Sequence, residues 1–272
     1  MKAFLTLLAA LQAAGLMPVR VTIPGPNGIA LNAILIRPQS PPPGSNPSAG
    51  ITPPAVVALH GCAGPIPARE TQWAKRLVEI GHIVLFPDSF GSRGLGPQCR
   101  TTNRTVTESG LRRQDAIAAA EWLRTQPGVP AEGVALIGWS NGGGTVLYAA
   151  EDDPPPPSGL FSRFVAFYPG CKTVSQNGWA PSGPLLILVG ADDDWTPAGP
   201  CQILAKKYPR LISLVVYRNA WHDFDRPGLP VRKLTGLATP PNGSGEAHEG
   251  TNEAARLDAL KRVPAFIAGH TP

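Results

Sequence analysis

The sequence predicts a single α/β domain, a mostly parallel twisted sheet with helices on both faces. Three observations carry this expectation. Short, wholly apolar runs at 55–59 and 134–137 read as strands buried on both faces. They alternate with helical patterns at 69–80 and 108–125, the signature of strand–helix–strand units around a parallel sheet. A chain of 272 residues with 43% hydrophobic content is long enough for one full core, and neither a repeat nor a second core interrupts it.

Taken in order, residues 19–23 and 29–36 flank Pro24-Gly25-Pro26-Asn27-Gly28 and form an opening hairpin. A proline-rich loop at 38–54 leads to the strand at 55–59. The helix at 69–80 ends at Gly81, a natural C-terminal cap. Residues 82–86 form the next strand, stopped by Pro87, and Pro127-Gly128 ends the helix at 108–125. The strand at 134–137 runs into a glycine-rich turn, and the helix after it is broken by Asp152-Asp153 and four prolines. Strands at 164–167, 185–189 and 212–217, a helix at 201–207, a polar loop at 227–250 and a closing helix at 253–268 complete the chain.

The first fifteen residues read as a leader. Lys2 is followed by an apolar stretch at 3–11 and by Ala13-Ala14-Gly15, small residues suited to cleavage. The alternative is a helix that stays on the protein. The apolar stretch is shorter than the roughly 20 residues a membrane span needs, so stable membrane insertion is not expected. The domain proper is then 16–272, in a secreted or periplasmic protein. In that setting Cys62, Cys99, Cys171 and Cys201 suggest two disulfides, with three pairings open. The net charge of +5 is scattered, without a basic stripe or interleaved aromatics, so nucleic acid is not an expected partner.

The chemistry centres on Gly138-Trp139-Ser140-Asn141-Gly142. Gly-x-Ser-x-Gly is a weak motif alone, but here it joins a buried strand to a helix, the sharp turn that lifts a nucleophilic hydroxyl above a sheet edge. A serine needs a base to take its proton. Of the five histidines, His222 follows the last strand and lies at the carboxyl edge, where ligands bind in open α/β sheets. His248 is the rival, while His60 falls out of chain order. An acid between them should orient the imidazole, and the apolar strand at 185–189 ends in Asp192-Asp193-Asp194. Asp193 is the first choice, with Asp194 behind it. The spacing fits no cation loop, and neither metal nor cofactor is expected. The oxyanion donors expected are the N–H groups of Asn141 and of Cys62, in His60-Gly61-Cys62-Ala63-Gly64.

These motifs resemble the dienelactone hydrolases of the α/β-hydrolase superfamily. The likeness runs from about Val19 to Ile267. It rests on His60-Gly61-Cys62, Pro87-Asp88-Ser89-Phe90 with Arg93-Gly94, Arg112 with Asp115-Ala116, the serine turn, Asp193-Asp194-Trp195-Thr196-Pro197 and His222-Asp223-Phe224. It implies the α/β-hydrolase fold, Asp193 as the acid and a small ester or lactone as substrate. Family prototypes carry a cysteine nucleophile restrained by a glutamate; Ser140 and Gly61 stand at those places here, which suits an ordinary serine esterase. The resemblance also aligns Arg93 and Arg226 with a pair that holds a substrate carboxylate. Trp139, Trp195 and Trp221 each stand beside an expected triad member and are candidate walls of the substrate pocket. A tryptophan before the elbow serine also occurs in cutinase-like polyester hydrolases, an alternative reading, and a non-catalytic binding protein of the same fold is a more distant one. Cys62 and Cys99 follow neighbouring strands, as do Cys171 and Cys201, which predicts these two pairs.

Overall fold

The computed structural model describes residues 2–39, 54–130, 133–238, 240 and 243–270; most of the proline-rich loop expected at 38–54 lies outside them. The elements are α1 (Lys2–Ala13), β1 (Pro18–Pro24), β2 (Ala30–Ile36), β3 (Val56–Leu59), α2 (Pro67–Glu79), β4 (Val84–Pro87), α3 (Leu111–Arg124), β5 (Val134–Trp139), α4 (Asn141–Ala149), β6 (Phe161–Phe167), α5 (Lys172–Gln176), β7 (Leu185–Gly190), α6 (Ala198–Lys207), β8 (Ile212–Tyr217), β9 (Arg232–Leu234), β10 (Ala247–Glu249) and α7 (Glu253–Ile267).

The main sheet has eight strands in the order β1-β2-β4-β3-β5-β6-β7-β8. The opening hairpin and the β2–β4 pair are antiparallel, and every later neighbour is parallel. Strands β3, β4, β5 and β7 are buried along their whole length, because helices cover both faces. One face packs under α3, α4 and α6, with Ala116, Ala119, Leu123, Val146 and Leu204 in its core. The other lies under α1, α2 and α7, where Trp73, Leu77, Ala259 and Val263 are buried. Pro67 opens α2 at a position that loses no hydrogen bond, and the Glu70 carboxylate accepts the Ile66 N–H just ahead of it. Asn252 caps α7 by accepting from the Ala255 N–H.

Two features go beyond the sequence pattern. Residues 2–13 form the helix α1, packed on the domain with Leu7 and Leu11 fully buried in the core shared with α2. The polar stretch at 227–250 holds a small antiparallel pair, with Leu234 opposite Ala247 and Arg232 opposite Glu249. That pair was hidden from the pattern because each strand is only three residues long. No helix among the described residues is long and apolar enough to cross a membrane. Both expected disulfides, Cys62–Cys99 and Cys171–Cys201, are present, and such bonds form and persist in an oxidising compartment.

Candidate active site

Ser140 stands between β5 and α4 with φ 54° and ψ −115°, a left-handed conformation that costs a non-glycine residue of order 1–3 kcal/mol. The surroundings hold it there. Its N–H donates to the Phe167 carbonyl at 2.9 Å, and its own carbonyl accepts from the Gly144 N–H at 2.8 Å. Gly142 makes the turn possible by close approach: a Cβ there would lie 2.3 Å from the Leu59 carbonyl oxygen and 2.6 Å from that of His60. The elbow is thus wedged against the end of β3, the strand that feeds the His60-Gly61-Cys62 loop.

His222 lies in the loop after β8 and is buried. Its Nε2 is 2.9 Å from Ser140 Oγ, and its Nδ1 is 2.8 Å from Asp193 Oδ2. Asp193 Oδ1 accepts the N–H groups of Trp195 and Thr196 at 2.9 and 2.8 Å, so the carboxylate is fixed by its own turn. Asp194 is engaged elsewhere: one oxygen accepts the His248 N–H and the other pairs with His248 Nδ1, each at 2.7 Å. The two aspartates left open by sequence are thereby separated, and the rival histidine is held by the rival acid. His60 faces the Gly61 carbonyl and Asp88. Burial, then Arg112, holds His60 well below the ordinary imidazole range.

Burial alone would lower the His222 pKa. The charge and hydrogen bond of Asp193, helped by Asp223 and Glu249, outweigh it, and the imidazole sits above its ordinary value. A general base must be neutral. The acid limb of kcat/KM should therefore lie above about pH 6.5, the usual histidine value, with activity lost as pH falls through the raised pKa. Glu249→Gln should move that limb downward; a pH–rate profile of both proteins checks it.

Around this line the structure adds residues that the sequence did not flag. Thr196 Oγ1 lies 2.9 Å from the Tyr168 carbonyl oxygen, 3.0 Å from Asp193 Oδ2 and 3.1 Å from His222 Nδ1. Tyr168 packs against His222 with ring centroids 4.5 Å apart and planes inclined by 57°, and donates its hydroxyl to Asp225 at 2.7 Å. Asp225, fully buried, also accepts the indole N–H groups of Trp73 and Trp139 at 2.7 and 2.8 Å. Asp223 accepts from Arg69 at 2.9 Å, which fixes the other side of the histidine loop. Arg112 is buried, donates to the His60 carbonyl and to Asn141 Oδ1, and burial pushes its pKa down to about 10. Glu108 accepts from the Asn141 amide. Thr196, Asp223 and Arg112 lay within motifs already recognised, though without these roles; Tyr168, Asp225, Arg69 and Glu108 come from other segments, and no local spacing announces them.

Ser140, Cys62 and Trp195 line two adjoining clefts. One, of about 480 Å³, extends past Asn141, Glu108, Tyr148 and Lys172. The other, of about 460 Å³, extends past His222, Ile66, Leu237, Arg100 and Arg226. The N–H groups of Cys62 and Asn141, the expected oxyanion donors, have no hydrogen-bond acceptor among the described residues.

Three expected substrate contacts are corrected. Arg93 does not reach either cleft: both its terminal nitrogens are committed to Asp115 at 2.7 and 2.8 Å, one also donating to the Ser89 carbonyl. Trp139 is fully buried on the α2 face, stacked on Phe167 and donating to Asp225; it underlies the elbow instead of walling the pocket. Trp221 packs on His248 at 4.8 Å and lines neither cleft. Trp195 alone of the three lines both, its ring 4.7 Å from that of His222. Arg226 does line the second cleft, with Asp223 3.9 Å away. Among the described residues no cluster of side chains could hold a metal ion.

Comparison with solved structures places this architecture among α/β hydrolases. A Klebsiella pneumoniae protein assigned as a dienelactone hydrolase superposes with a TM-score of 0.65 at 19% identity, covering 94% of this chain and 99% of that one. The Pyrobaculum calidifontis esterase gives 0.61 at 19% identity, over 98% and 90% of the two chains. A puromycin-hydrolyzing peptidase from Mycobacterium tuberculosis gives 0.63 at 16%, covering 95% of this chain but 40% of that longer protein. At these identities the likeness speaks for the fold alone. Curated proteins yield no significant match. The family comparison is decisive where these are not: residues 44–270 match the dienelactone hydrolase family, so this chain belongs to that family and is a hydrolase.

Proposed function

We propose that the protein hydrolyses carboxylic esters or lactones through an acyl-enzyme on Ser140. The observation that carries this reading is the unbroken line from Ser140 Oγ through His222 to Asp193 at the junction of two clefts. His222 Nε2 takes the hydroxyl proton as Oγ attacks the carbonyl carbon, and Asp193 stabilises the imidazolium. The oxyanion is held by the N–H groups of Cys62 and Asn141. The imidazolium then protonates the departing alkoxide, and a water activated by the same histidine releases the acid and restores Ser140.

His222 must reach the leaving oxygen, so the cleft that it lines takes the alcohol portion, and the cleft past Asn141 takes the acyl portion. Openness on both sides of Ser140 also suits a substrate chain that runs through the site, which keeps a polyester hydrolase as the second reading. The two disulfides support an exported, secreted or periplasmic protein.

The test joins labelling to turnover. An aryl phosphonate should modify Ser140 stoichiometrically by mass spectrometry, and a panel of aryl esters, lactones and polyester fragments should be turned over by wild type. Amide hydrolysis exceeding ester hydrolysis, or phosphonate at another residue, would sink the reading. The same panel on Arg226→Gln reads whether that side chain favours anionic alcohol portions.

A further inference from the structure

The segment between β4 and α3 touches both oxyanion donors. The Gln98 N–H donates to the Cys62 carbonyl at 2.7 Å, and Cys99 is bonded through sulfur to Cys62. Arg104 Nε donates to the Gln98 carbonyl at 3.0 Å, while its guanidinium lies 3.7 Å from Glu108 Oε1, the atom that accepts from the Asn141 amide. One short stretch of chain therefore closes a ring around the oxyanion hole. Its single covalent member is the disulfide.

The Cys62 N–H needs such a hold. Its peptide follows Gly61, whose missing side chain leaves the backbone torsions free. Beyond it the loop folds back through the Gly64 N–H to Gly61 carbonyl bond at 3.1 Å, and the same carbonyl faces His60 Nδ1 at 2.8 Å. The sulfur atoms sit in a small apolar cluster with Trp195, Leu234, Leu237 and Ala247, and the Cys99 carbonyl accepts from the Ala238 N–H at 3.0 Å. The disulfide thus ties the oxyanion loop to the wall of the alcohol-side cleft. Cys99 is part-exposed and both cysteines line that cleft, whereas Cys201 is fully buried on the core side of α6 and its partner Cys171 lines the acyl-side cleft.

We propose that Cys99 is a positioning residue: through its bond to Cys62 it aims the Cys62 N–H at the oxyanion, and turnover depends on the oxidation state of this pair. The inference rests on the acyl-enzyme reading above. Reduction by a dithiol is the relevant reaction. One thiolate attacks Cys99 Sγ and releases the Cys62 thiolate. The second thiol then closes the reductant's ring disulfide and releases the Cys99 thiolate, and the reductant's two protons end on the cysteines.

The experiment compares Cys99→Ser, Cys201→Ser and wild type on p-nitrophenyl acetate, with Tm recorded beside kcat and KM. Losing one oxyanion donor outright costs about 10²–10³ in kcat. A donor left in place but untethered should cost about tenfold or more in Cys99→Ser, with KM changed by less than about threefold. Cys201→Ser breaks the other disulfide and should lose Tm while keeping kcat within about twofold. Wild type should lose the same factor on dithiol treatment and regain it on reoxidation, which supplies the readout if Cys99→Ser does not fold. An unchanged kcat in Cys99→Ser or in reduced wild type, or an equal fall in Cys201→Ser, overturns the inference. Ser140→Ala separates the two readings: if it is inactive while Cys99→Ser is fully active, only the positioning role fails, and if it is active the acyl-enzyme reading itself fails.

Discussion

Asp193→Asn should lower kcat by about 10⁴-fold, the size of the effect when a triad carboxylate is replaced by an amide that favours the wrong imidazole tautomer. The local geometry explains why the loss should fall on kcat. Asp193 Oδ1 is held by two backbone N–H groups, so the side chain at 193 cannot swing away; its other atom must face His222 Nδ1. An asparagine keeping those bonds presents an NH₂ to the ring nitrogen. The imidazole then carries its proton on Nε2, where it donates to Ser140 and cannot accept. Asp194→Asn should change kcat by no more than about tenfold, because it loosens His248 and the β9–β10 pair without touching the tautomer. Steady-state kinetics on both variants decide the assignment, and the reverse ranking would exchange the two roles.

Gly142→Ala is expected to be strongly destabilising. Its Cβ would stand 2.3 Å from one backbone carbonyl oxygen and 2.6 Å from another, and neither belongs to a flexible side chain. Relief requires α4 to move off β3, which also displaces Ser140. The expected cost is about 3 kcal/mol or more, at the upper end for overpacking. For a domain of this size that is roughly a 10 °C fall in Tm. Thermal unfolding followed by circular dichroism checks this, and a loss under about 1 kcal/mol would mean that the elbow accommodates the methyl group by local shifts.

The legible part of this protein was the part written in local patterns. Apolar runs such as Val56–Leu59 and Leu185–Gly190 are strands because they are buried on both faces, and burial on both faces leaves an uninterrupted apolar string. Ser140, Asp193 and His222 each follow such a run, so their convergence could be anticipated from strand order alone. Substrate contacts were less legible. Trp139 and Arg93 are the residue types that line pockets, but which way a side chain faces is set by partners far along the chain: Asp225 for the indole, Asp115 for the guanidinium. Adjacency in sequence placed Trp221 beside His222, yet consecutive residues point apart, and its ring rests on His248. That Asp194 pairs with His248 likewise depends on β10, a three-residue strand too short to leave a periodicity.

Asp225 carries a consequence for anyone rebuilding this enzyme. One carboxylate gathers donors from α2, from the end of β5 and from the residue after β6, and it sits three positions past His222. The histidine loop is therefore not a portable module. Transplanting it into a relative, or exchanging it for a longer one, would strand two indoles and a phenol in a dry interior unless all three donors travelled with it.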